Sequence, residues 1–182
     1  MHGPTVSGWL LVTLCGGIGS YCLVRMRACA GSARGSAGSE ALMGFGMAAM
    51  AVPAVVFTPP DWAWLLYTGV FGGAAIGSLR SVRRGVHQAH HLIGSLTMVY
   101  MAVSMAYPAG HVGHSTAGVP LLTGGLLAYY AVYVLRSGAR LLPTAVPAGE
   151  AAPAVRWGEP PALAGACRLT MGLAMLAMLV TL

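Results

Sequence analysis

The chain contains no lysine and no asparagine, and only four of its 182 residues are acidic. Charged residues make up 8% of it, where a soluble domain carries about 25%. That scarcity excludes a water-facing surface laced with ion pairs. The four carboxylates, Glu40, Asp61, Glu150 and Glu159, stand singly, in loops or at helix edges. No paired-carboxylate or Ser/His/Asp arrangement is suggested, so no enzymatic activity is expected. No glycine-rich phosphate motif follows a strand. The four cysteines, Cys15, Cys22, Cys29 and Cys167, form no C-x-x-C pair. A zinc site or disulfide framework is therefore unsupported, and buried thiols acting as small hydrophobes are expected.

All ten cationic residues are arginine, and the net charge is +6. A nucleic-acid partner would want a basic stripe interleaved with aromatics. Here each Arg lies in a connecting segment or at the edge of an apolar run. That is the placement of charges that fix membrane orientation, so no nucleic-acid partner is expected.

What the chain has in quantity is apolar sequence: 57% of residues are hydrophobic, and mean hydropathy is +0.72. A spanning helix needs about 20 mostly apolar residues. Six segments qualify, at 6–24, 40–57, 62–79, 88–107, 118–136 and 164–182. Nothing shows the alternation of a barrel, so helices are the default. The expected fold is a single all-α, six-span transmembrane bundle in a lipid bilayer. Arginines follow spans one, three and five, and none follows spans two and four. The odd connections are then cytoplasmic and both termini outside. The first run is followed by Arg25 and Arg27, which reads as a retained span.

Residues 27–39 read as a flexible small-residue linker with Glu40 near the next helix start, and 143–161 as a disordered cytoplasmic loop. Pro53 is expected to kink span two. Gly73-x-x-x-Gly77 marks the clearest close helix contact, with Gly16/Ser20 and Gly124/Ala128 behind it.

Nine of the eleven methionines fall into three triplets at helical spacing: Met43/Met47/Met50, Met98/Met101/Met105 and Met171/Met175/Met178. Each set stays within an arc of about 60°. All three lie on even-numbered spans, which run in the same direction. If those faces meet, they form a thioether ladder, and thioethers suit Cu(I). His87 and His91 share the stripe of Met98, Met101 and Met105 and would be an inner exchange site. His111 and His114, in the loop after span four, would be an outer one. The alternative is equally physical: methionine is a flexible core filler, and the triplets are helix packing in a structural or assembly protein. A haem protein is a lesser alternative, because only span four offers histidines near the membrane. A homo-oligomer or membrane partner stays open.

The run His91-Leu-Ile-Gly-Ser-Leu-Thr-Met98-Val-Tyr-Met101, preceded by arginines and histidines, resembles the signature helix of an actinobacterial membrane family, domain of unknown function 5134. Met43-Gly-Phe-Gly-Met47-Ala-Ala-Met50-Ala-Val-Pro53 resembles its early span, and Cys167-Arg168-Leu-Thr-Met171-Gly-Leu-Ala-Met175 its last. The resemblance implies an actinobacterial source and the bacterial inner membrane. It implies no activity.

Overall fold

In the computed structural model, residues 3–53, 55–81, 86–106, 119–141 and 161–181 are described. They form six helices: α1 (Gly3–Ala28), α2 (Gly31–Met50), α3 (Asp61–Ser81), α4 (Val86–Ala106), α5 (Pro120–Leu141) and α6 (Pro161–Val180). Among the described residues there is no strand. Successive helices pair as hairpins, α1 with α2, α3 with α4, and α5 with α6, and α2 touches both α4 and α6. The even-numbered helices therefore form the inside of the bundle.

Two glycines decide the first hairpin. A Cβ on Gly44 would lie 2.9 Å from the Cα of Gly19 and 3.1 Å from the Cys15 carbonyl oxygen. Only a residue with no side chain lets α1 and α2 backbones come this close. The α2/α4 contact is reciprocal. A Cβ on Gly94 of α4 would meet Met43 Cε at 2.8 Å, and one on Gly46 of α2 would meet Met98 Cε at 3.0 Å. Each helix sets a methionine over a glycine of the other. The pairs of small residues expected from sequence play no such part: Gly73, Gly77, Gly16 and Gly124 have nothing within 4 Å of a Cβ position. Their spacing marks a helix face, and the neighbouring helices pack elsewhere.

The second helix is displaced from its expected place. It spans 31–50 in place of 40–57. The small-residue stretch after Gly31 is helical, and Glu40 sits in the middle of α2. The helix also stops short of Pro53, where the sequence predicts a kink. Proline has no N–H to give, its ring clashes with the carbonyl four residues back, and it pushes the preceding residue out of the helical region. A turn follows, with Val56 N–H donating to the Pro53 carbonyl at 2.9 Å.

The core is mainly apolar, but a few polar groups are buried in it and many large apolar side chains face outward. Glu40 and Thr97 are 0% exposed and Ser95 2%, while Leu65, Leu121 and Leu135 are 74%, 90% and 72% exposed. Within the helices hydroxyls turn back on their own backbone: Ser20, Thr97 and Thr170 each donate to the carbonyl four residues earlier at 2.8 Å. Such bonds need no partner outside the helix. Three helices, over Val6–Ala28, Trp62–Arg80 and Leu163–Val180, are long and apolar enough to cross a membrane. The other three do not reach that composition among the described residues. In α2, Arg34, Glu40 and several serines dilute the apolar residues.

Candidate functional site

The site is built from one end upward, the end where odd helices finish, even helices begin and the arginines gather. Glu40 lies there, fully buried. Arg25 of α1 donates from Nη1 to Oε2 at 3.3 Å, and Arg168 of α6 from Nε to Oε1 at 2.8 Å. The Ser36 hydroxyl adds a bond to Oε1 at 3.3 Å. One carboxylate thus ties three helices together. Taking such a charge out of water is costly unless it is paired and hydrogen-bonded, and here it is both. These two arginines are drawn inward by their partner and do more than mark orientation.

A cavity of about 20 Å³ is lined by Glu40, Met43 and Met47 of α2, His90 and His91 of α4, Tyr130 of α5, and Arg168, Met171 and Met175 of α6. His91, Met43, Met47, Met171 and Met175 are all buried. About 10–15 Å³ holds one water-sized sphere, so this cavity accepts a single atom-sized guest. A porphyrin does not fit there. His90 is held by α5: its ring stacks on Tyr133 at 3.9 Å and 9°, and Nδ1 lies 3.0 Å from the Tyr129 hydroxyl.

The sequence-derived site residues divide. Met43, Met47, Met98, Met101, Met171, Met175 and Met178 join one buried core. Met50 is only partly buried at its margin, and Met105 is 41% exposed. Those two line a separate pocket of about 330 Å³ at the opposite end, with Trp64 and Tyr67. The Tyr67 hydroxyl donates to the Gly46 carbonyl. The nine-rung ladder is therefore a seven-methionine core, because α2 ends at Met50 and α4 turns Met105 outward. His91 joins the cavity. The side chain of His87 and all of His111 and His114 lie outside the described residues. Among the described residues, no group of three or more His, Cys, Asp or Glu is placed to hold a metal ion.

Sequence reasoning misses Glu40, Arg25, Arg168 and the tyrosines of α5. The signal is present, since an acid inside an apolar segment is a functional candidate by default. The small-residue stretch before Glu40 hides it by making the position look like a helix start.

Among the described residues the fold is an all-helical bundle with large apolar side chains on its outer faces and a methionine- and cysteine-bearing core that holds a few polar groups, with three helices apolar enough to span, the class of a membrane protein. The family model described as Domain of unknown function (DUF5134) matches residues 32–182, and the chain belongs to that family. The match begins in α2, so α1 with Cys22 and Arg25 precedes it. No curated protein and no solved structure matches the chain.

Proposed function

We propose that this is a multi-pass protein of a bacterial cell membrane that binds Cu(I) in the cavity between α2, α4 and α6, with no catalysis of its own. All six helices would span, both termini would lie outside, and the arginine-bearing end would face the cytoplasm. The observation that carries the reading is the meeting of His91 with Met43, Met47, Met171 and Met175 around one atom-sized cavity. Soft thioethers and an imidazole are donors that Cu(I) accepts. Thioethers have no proton to lose, so their binding competes with none. Met98 and Met101 have a different role, since Met98 shares the notch at Gly46 with the Phe71 ring. The lipid bilayer is the surrounding partner.

A second reading has its own support. The reciprocal seating of Met43 over Gly94 and Met98 over Gly46 is what packing alone requires. On this reading the protein is a structural or assembly component and holds no metal.

Anaerobic Cu(I) loading of the purified chain, followed by elemental analysis, separates the two. Met→Leu nearly conserves volume, and volume-conserving swaps cost under about 1.5 kcal/mol each. The Met47→Leu/Met171→Leu/Met175→Leu protein should fold and lose one equivalent of copper. Equal copper in variant and wild type sinks the cavity site, as does a wild type that retains none.

A further inference from the structure

A second space shares a wall with the cavity between α2, α4 and α6. It is a pocket of about 270 Å³ lined from α2, α3 and α4. Four hydroxyls line it: Ser36 and Ser39 of α2, Ser78 of α3 and Ser95 of α4. Ser95 is 2% exposed, so this polarity reaches well into the bundle. The α3 lining comes from the second half of that helix, which places the pocket toward the arginine-bearing end.

Met43 lines both this pocket and the cavity. Its tip sits against Gly94, where a Cβ would meet Cε at 2.8 Å and Sδ at 3.1 Å. A second link runs through Ser36, which lines the pocket and donates to Glu40, which lines the cavity. The residue common to both spaces is thus a flexible thioether.

The two larger pockets differ in what can fill them. A water needs room and about two to four polar partners. Ser36 and Ser39 already donate, to Glu40 and to the Ser36 carbonyl, but their oxygens can still accept. Ser78 and Ser95 add two more hydroxyls. The pocket at the opposite end is lined mainly by aliphatic and aromatic groups, and its Tyr67 hydroxyl is given to the Gly46 carbonyl. Gly77 helps to keep the serine-lined pocket open. It lines that space, and nothing lies within 4 Å of its Cβ position.

We propose that the serine-lined pocket is a water-filled port through which Cu(I) reaches the cavity, and that Met43 is the ligand that hands it across. An arriving ion exchanges a water or carrier ligand for Met43 Sδ, so one bond breaks as the Cu–S bond forms. Rotation of the Met43 side chain then presents the ion to Met47, Met171, Met175 and His91. Copper stays Cu(I), and the thioether releases no proton. The cargo rests on the copper reading above; the port is tested without copper and fails separately.

The experiment uses the full chain in detergent with Cys29→Ser, which leaves the buried Cys15, Cys22 and Cys167 as its native thiols. Ser95→Cys is added and treated with a small, charged, thiol-specific methanethiosulfonate. It should react above the parent chain. Gly77→Leu should slow that reaction severalfold. Gly73→Leu, one turn away with the same open Cβ position but outside the pocket lining, should not. Cu(I) loading is then timed anaerobically. Gly77→Leu should load severalfold more slowly and finish at the same copper per chain. If Gly77→Leu misfolds, a bulky thiol reagent placed on Ser78→Cys after folding supplies the plug. Met43→Leu should also load slowly, yet leave Ser95→Cys labelling unchanged. An unreactive Ser95→Cys in a folded chain would overturn the port, and so would wild-type loading in a plugged one. Wild-type loading by Met43→Leu would overturn the hand-over. A wild type that takes up no copper, with Ser95→Cys reactive and sensitive to the plug, would sink the cavity reading and the cargo but keep the port.

Discussion

The two ends of the even-helix interior are made of opposite materials. At the arginine-bearing end, Glu40, Arg25, Arg168 and Ser36 are joined by directed bonds of 2.8–3.3 Å. At the other end, Met50, Trp64, Tyr67 and Met105 surround about 330 Å³ of apolar space. One end is fixed by charge, where geometry is demanding and a lost partner is expensive. The other is loosely filled, where shape and volume matter little. Position in this molecule should therefore predict sensitivity better than residue type does.

The largest effect belongs to Glu40→Ala. Removing it leaves two inward-drawn guanidiniums facing each other with no carboxylate between them. Breaking a buried pair by removing one partner costs about 3–5 kcal/mol. Thermal melting in detergent should show a large drop, and Glu40→Gln should recover only part of it. A Glu40→Ala protein that melts with the wild type would remove the contrast between the two ends.

Next comes Gly44→Leu, in the α1/α2 hairpin that carries Arg25 and Cys22 to the network. The added side chain meets backbone, the Gly19 Cα and Cys15 carbonyl, which cannot rotate away. Overpacking of this kind costs about 1–3 kcal/mol. The hairpin should splay, so the same variant should lose part of the Glu40 contribution as well. A double-mutant cycle of Gly44→Leu with Glu40→Ala should then give a total loss smaller than the sum of the two.

Much of this is legible in the sequence, but not evenly. The six apolar runs become six helices because long hydrophobic stretches overwhelm local ambiguity. The methionine faces meet because all three lie on even helices, which the hairpin order places inside. What fails is local. Gly31–Ser39 is rich in glycine and serine, residues of low helix propensity, so the stretch reads as linker. It is helical because α2 seats Gly44 against Gly19 and Glu40 against two arginines, contacts that composition does not display. Gly73 and Gly77 carry the right spacing and no neighbour, since spacing marks a face without saying what lies opposite.

At the far end, Tyr67→Phe removes the hydroxyl that bonds the Gly46 carbonyl. Gly46 O still belongs to the α2 helix, so no acceptor is stranded. Interhelical hydrogen bonds of this sort in membrane helices average about 0.6 kcal/mol. The melting shift should be small and clearly below that of Gly44→Leu, with copper retention unchanged.

The smallest effect should come from Met50→Leu/Met105→Leu. Both residues have the same chemistry as the cavity methionines and the same helical register, yet one is partly buried and the other 41% exposed. Replacing them nearly conserves volume in a site with room to spare, so stability should move by less than about 0.5 kcal/mol. Copper per chain should equal wild type, while Met47→Leu/Met171→Leu/Met175→Leu loses one equivalent. The pair of variants holds residue type constant and changes only place. If the outer pair loses copper as the inner set does, thioethers act along the whole column, and the boundary drawn at Met47 between the two ends is wrong.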